Sequence, residues 1–204
     1  MKFGTGSLRN GRRAEREKLV AIGASAGGPN ALARVLADLP ATSPAAIVII
    51  QHVDERFAAG MAEWLTRVSP IAVEVAREGD RPRMGTALLA GTNDHLVLKG
   101  AVRLGYTPEP RNQAYRPSVD VFFESVGAQW TGEAVGVLLT GMGRDGAKGL
   151  KALRDRGCYT ISQDESTSAV YGMPKAAANM GAAVDILPLE LIGARLVETL
   201  GDGS

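Results

Sequence analysis

Two uninterrupted apolar runs, each followed by a helical pattern, limit the fold more than any other feature. "LVAIGA" (19–24) and "AAIVIIQ" (45–51) show no polar alternation, so a strand built from either must be covered on both faces. "GPNALARVLADLP" (28–40) puts Ala31, Leu32, Val35, Leu36 and Leu39 at helical spacing, with Pro40 as a stop. "FAAGMAEWLTRV" (57–68) puts Phe57, Met61, Trp64, Leu65 and Val68 on one face. Strand, helix, strand, helix predicts an α/β fold: a doubly wound, mainly parallel sheet with helices on both faces.

The middle of the chain breaks this rhythm. "IAVEVA" (71–76), "TALLAG" (86–91), "HLVLKG" (95–100) and "AVRLGY" (101–106) are short and separated by turn residues. They leave no room for helices and predict an appended antiparallel hairpin region. The rhythm then returns. A helix is expected over 118–130 with Ser118 as N-cap, a strand over 133–141, and a helix over 146–157 closed by Gly157. "CYTIS" (158–162), a short helix (173–181), a strand (182–187) and a helix begun by Pro188 complete the chain.

Composition excludes several classes. The formal net charge is +1, which argues against a nucleic-acid surface. Residues 1–18 hold six Lys/Arg and two Glu, a local +4, and are expected to form a flexible basic tail ahead of one domain over 19–204. The lone Cys158 cannot form an intrachain disulfide and is expected to be a small buried hydrophobe. One Cys and two His exclude a structural zinc site. No signal-like segment or membrane-length apolar stretch is present, so membrane insertion is not expected and a cytoplasmic location follows by default.

Gly23-Ala24-Ser25-Ala26-Gly27 satisfies G-x-S-x-G between a strand and a helix. Such a turn exposes a serine hydroxyl beside the positive end of a helix, where an oxyanion would be stabilised. A glycine-rich turn without chemistry, or a phosphate cradle, would also use small residues, although neither common phosphate-binding glycine pattern is present. A serine nucleophile needs a base. His52 ends the second strand, and neighbouring parallel strands bring their carboxyl ends to one edge. His95 precedes its strand and reads as a turn or rim residue. Asp145, in "LLTGMGRDGAKGL", lies at a third carboxyl edge and is the expected orienting carboxylate. It could instead cap the following helix. Asp54 is too near His52 to be favoured, and Asp94, Asp120 and Asp164 compete with Asp145.

These residues resemble the chemotaxis-receptor methylesterases of the CheB type. "IGASAGGP", "IVIIQHV", "RPSVDVFFESV", "AVGVLLTGMGRDGAKGL" and "SQDESTSAVYGMPKAA" occur in that family's order, over roughly residues 19–200. The resemblance implies Ser25, His52 and Asp145 as catalytic residues. It also implies hydrolysis of glutamate γ-methyl esters on the cytoplasmic helices of methyl-accepting chemotaxis receptors, with receptor glutamine deamidation as a second activity. No cofactor is implied. Ala26 and Met142 would offer backbone N–H groups to the oxyanion. Tyr115 and Arg116 would touch substrate, and Arg111, Arg144 and Lys175 flank the matched motifs. Two positions depart from the family pattern: Ala26 replaces a frequent Thr, and Tyr115 replaces a frequent His. Eighteen residues are too few for the family's usual N-terminal receiver domain. The alternatives from other classes are a catalytically silent receptor-binding module of this fold and an esterase or amidase acting on another substrate.

Overall fold

A computed structural model describes residues 17–100 and 102–201. The first strand, β1 (Lys18–Ala24), leads through a tight turn into α1 (Gly28–Ala37). β2 (Ala45–Gln51) and α2 (Glu55–Val68) repeat the unit. β3 (Ala72–Val75), β4 (Thr86–Leu89), β5 (His95–Lys99) and β6 (Arg103–Thr107) follow, and then α3 (Val119–Gln129). The chain closes with β7 (Glu133–Leu138), α4 (Ala147–Asp155), β8 (Tyr159–Gln163), α5 (Met173–Asn179), β9 (Asp185–Leu187) and α6 (Leu189–Gly201).

Seven strands form one parallel sheet in the order β3-β4-β2-β1-β7-β8-β9. The central strands are apolar throughout because both faces are covered. Val20, Ile22, Ile47 and Ile49 point into a core with α1, α2 and α6. Leu19, Ala21, Val48 and Ile50 point into a second core with α3, α4, α5 and the β5–β6 hairpin. Burying such side chains is worth roughly 1.5–3 kcal/mol each relative to exposure, so the two cores fix the layer order.

The main departure from the sequence reading is in the middle. Only β5 and β6 form an antiparallel hairpin, as a sheet of their own. β3 and β4 instead extend the parallel sheet, with Ala72 opposite Thr86. No helix is needed for this return. Residues 76–85 reach up to roughly 33 Å when extended, ample to run back along a four-residue strand of about 13 Å. Smaller shifts occur elsewhere. Phe57 and Val68 were expected on the buried face of α2, yet both are exposed, and the buried stripe is Ala58, Met61, Ala62 and Leu65. Cys158 precedes β8 and is half-buried, with burial pushing its thiol pKa up. Of the expected basic tail, residues 1–16 lie outside the described residues, and Lys18 already belongs to β1.

Candidate active site

Register places the first two functional groups. Ala24 of β1 is opposite Gln51 of β2, so Ser25 and His52 leave adjacent strands at the same level. The pairing continues one step further, with the His52 amide donating to the Ala24 carbonyl at 3.1 Å. β7 flanks β1 on the other side, and the loop after it carries Asp145 to the same edge. The strand order reverses between β1 and β7, which is where ligand crevices open in such sheets.

The three side chains form a continuous line. His52 Nδ1 is 3.0 Å from Ser25 Oγ, and His52 Nε2 is 2.8 Å from Asp145 Oδ2. For Nδ1 to accept the serine proton, the ring proton must sit on Nε2, the nitrogen that faces the carboxylate. The serine is half-buried, while the His52 and Asp145 side chains are almost closed to solvent.

Asp145 is held as an anion. Its Oδ2 accepts from the Val119 amide at 2.7 Å, and its Oδ1 from the Asp120 amide at 3.1 Å and the Ser118 hydroxyl at 2.8 Å. These donors form the N-terminus of α3, whose dipole also favours negative charge. Burial pushes the Asp145 pKa up. The bonds from His52, Val119, Asp120 and Ser118 outweigh burial and hold it below the usual carboxylate value.

The serine turn is braced by residues that the sequence reading passed over. Gln51 Nε2 donates to the carbonyls of Ser25 and His52, at 2.9 and 3.2 Å. The Thr140 carbonyl accepts from the Ser25 amide at 3.0 Å, and the Thr140 hydroxyl donates to the Ala26 carbonyl at 2.9 Å. Gln163 Oε1 accepts from the Thr140 amide at 2.8 Å. Gly141 is required by close approach, since a Cβ there would lie 2.8 Å from Ser25 Cβ. For Gln51 the signal available in the sequence was a polar residue ending an otherwise apolar strand.

The other predicted positions divide. Tyr115 lies parallel to the His52 ring, with centroids 4.3 Å apart and planes 6° apart. Met142 is 62% exposed beside the site loop, and Ala26 is half-buried next to Ser25. Arg116 is exposed, 3.8 Å from Asp94. Arg111 pairs with Glu109, and Arg144 and Lys175 are exposed. Among the competing carboxylates, Asp54 caps α2 and Asp164 binds Ser166 and Thr167. Asp120 adjoins Asp145 without reaching the imidazole line.

His95 corrects the sequence reading. It is not a rim residue but fully buried. Its Nδ1 accepts from the Ser118 amide at 3.1 Å, and its Nε2 donates to the Pro110 carbonyl at 3.1 Å. As the first residue of β5 it reads locally as a turn, and only the packing of the hairpin on α3 buries it.

The family model for CheB methylesterase matches residues 20–196, most of the chain. The chain belongs to the CheB methylesterase family. It is 64% identical over 186 residues to a protein from Cupriavidus metallidurans named protein-glutamate methylesterase/protein-glutamine glutaminase 2. That match covers 91% of this chain and 55% of the relative. A protein-glutamate methylesterase/protein-glutamine glutaminase 3 from Pseudomonas syringae pv. tomato is 63% identical over 183 residues, covering 90% and 54%. The chain therefore spans about half the length of the curated CheB relatives it matches. The crystal structure of the Thermotoga maritima CheB methylesterase catalytic domain matches with a TM-score of 0.86 at 33% identity. That match covers 90% of this chain and 98% of the other.

No cluster of His, Cys, Asp or Glu among the described residues has a metal-binding arrangement. No described helix is long and apolar enough to cross a membrane.

Proposed function

We propose that this chain is a serine hydrolase that removes methyl groups from glutamate γ-methyl esters on the cytoplasmic helices of chemotaxis receptors, and that it deamidates receptor glutamines by the same route. The observation that carries this reading is the line Ser25 Oγ, His52 Nδ1, His52 Nε2, Asp145 Oδ2, with links of 3.0 and 2.8 Å. The names borne by its family relatives support the substrate class. The receptor segments concerned set the chain in the cytoplasm.

Ser25 Oγ attacks the ester carbonyl as His52 Nδ1 takes the hydroxyl proton. The new bond joins Oγ to the carbonyl carbon, and the carbonyl oxygen takes the negative charge. Backbone N–H groups at Ala26 and Met142 receive that charge beside the N-terminus of α1. The Ser25 amide is committed to the Thr140 carbonyl, so it is not one of these donors. The C–O bond to the methoxy group then breaks, and the His52 proton leaves with it as methanol. Water, deprotonated by His52, attacks the acyl-serine and releases the glutamate carboxylate and free Ser25. Asp145 keeps the ring proton on Nε2 and stabilises the imidazolium in both halves. Deamidation follows the same steps with ammonia as leaving group. A receptor helix would lie against Tyr115, which stacks on His52, and the exposed Arg116 that follows it.

The test is methanol release from methyl-labelled receptor. Ser25→Ala should lower turnover by roughly 10⁴–10⁶. A variant that demethylates at the wild-type rate would end this reading. Labelling by a serine-directed phosphonate separates a hydrolase from a silent binding module. Labelling without methanol release would point to a different ester.

A further inference from the structure

Helices α3 and α4 exchange carboxylates at their N-termini. Asp145 stands two residues before α4 and accepts the Val119 and Asp120 amides that open α3. Asp120, in the first turn of α3, does the reverse. Its Oδ1 accepts the amide of Gly149, in the first turn of α4 behind the N-cap Gly146, at 2.8 Å. Gly146 has a left-handed backbone and no side-chain cap of its own, so the cap must come from another element. Gly149 makes this approach possible, since a Cβ there would lie 2.7 Å from Phe123 Cβ and 2.9 Å from the Asp120 carbonyl oxygen.

We propose that Asp120 is a positioning residue for the triad: by capping α4 while Asp145 caps α3, it locks the loop that presents Asp145 to His52. It also places a second carboxylate behind the first. The inference rests on the Ser25–His52–Asp145 reading above and goes beyond it, because Asp120 touches neither Ser25 nor His52. Asp145 and Glu124 act on Asp120 as charges. On α4, Lys151 is engaged by Asp155, Arg154 binds the carbonyls of Gly181 and Ala183, and Lys148 is exposed. Burial, with smaller contributions from Asp145 and Glu124, pushes the Asp120 pKa up to about 6. The carboxylate thus changes charge within the range in which a histidine base works.

The test uses the full chain and a fluorophosphonate that labels Ser25, with labelling rate followed from pH 5 to 9. Asp120→Ala removes the α4 cap and should lower the rate at pH 8 about tenfold, the equivalent of one charge-assisted hydrogen bond. Asp120→Asn keeps an oxygen acceptor for the Gly149 amide and should recover most of that loss. It should also simplify the acid limb, removing the ionisation near pH 6 expected for the wild type. A purely structural role would not change the shape of that limb. Wild-type rate and an unaltered acid limb in both variants would overturn the proposal. If Asp120→Ala does not fold, an unaltered limb in Asp120→Asn is sufficient to overturn it. Equal labelling of Ser25→Ala and wild type would overturn the triad reading itself. Loss of labelling in Ser25→Ala with no effect at Asp120 would overturn this inference alone.

Discussion

The His52 imidazole is gripped at three points. Ser25 and Asp145 hold its two nitrogens, and Tyr115 covers one face at 4.3 Å. The hydrogen bonds fix the ring within its plane, and the stacked phenol resists tilting out of it. Aromatic stacking of this kind is worth about 0.5–1.5 kcal/mol, or roughly a three- to tenfold effect if it acts in the transition state. Tyr115→Ala should therefore lower kcat on methylated receptor by about three- to tenfold, and Tyr115→Phe should stay near wild type. A drop in kcat/KM carried wholly by KM would instead make Tyr115 a substrate contact. The family's frequent His at this position could stack in the same way, so the departure at Tyr115 is compatible with an intact site.

At the scale of elements, stability and site geometry meet at the α3–α4 crossing. The two carboxylates there respond to pH in opposite senses. Asp145 is held below its ordinary value, so its contribution is present above about pH 4 and is lost as pH falls further. Asp120 is raised from 3.8 to about 6, so the folded state binds more protons than the unfolded chain between those values. Its contribution therefore falls as pH rises through that window and is level above it. Asp120→Asn removes this dependence. Relative to wild type, the variant should gain stability as pH rises from 4.5 to 7, measured by chemical denaturation at each pH. A difference between the two proteins that does not change with pH would contradict the assignment.

At the scale of the whole molecule, the site belongs to no single element. Ser25, His52 and Asp145 follow β1, β2 and β7, and only the central order β2-β1-β7 makes them neighbours. Both cores, one on each face of the sheet, are needed to hold that order. Phosphonate labelling of Ser25 should thus disappear in the same urea transition as the tertiary signal of Trp64 and Trp130. Labelling that survives well past that transition would show the serine to be reactive without the assembled triad.

The local devices were legible without coordinates. The apolar runs at 19–24 and 45–51, the small residues around Ser25, the Ser118 cap and the stop at Gly157 all depend on neighbours within a few positions. Pairing Ser25 with His52 also followed from the chain, because two consecutive parallel strands must end on one edge. Tertiary structure decided the rest. The parallel placement of β3 and β4 depends on where residues 76–85 travel, which local pattern does not encode. His95 became a buried link to Ser118 because the hairpin packs on α3. Asp145 was the favoured carboxylate from its place at a strand's carboxyl edge, but Asp120 stayed a competitor until the crossing of two helices gave Asp145 the imidazole and Asp120 the Gly149 amide of α4. Sequence alone dictates what short-range sterics and hydrophobic period can enforce. Contacts between residues distant along the chain await the packing of the layers, since only then do their groups come within bonding distance.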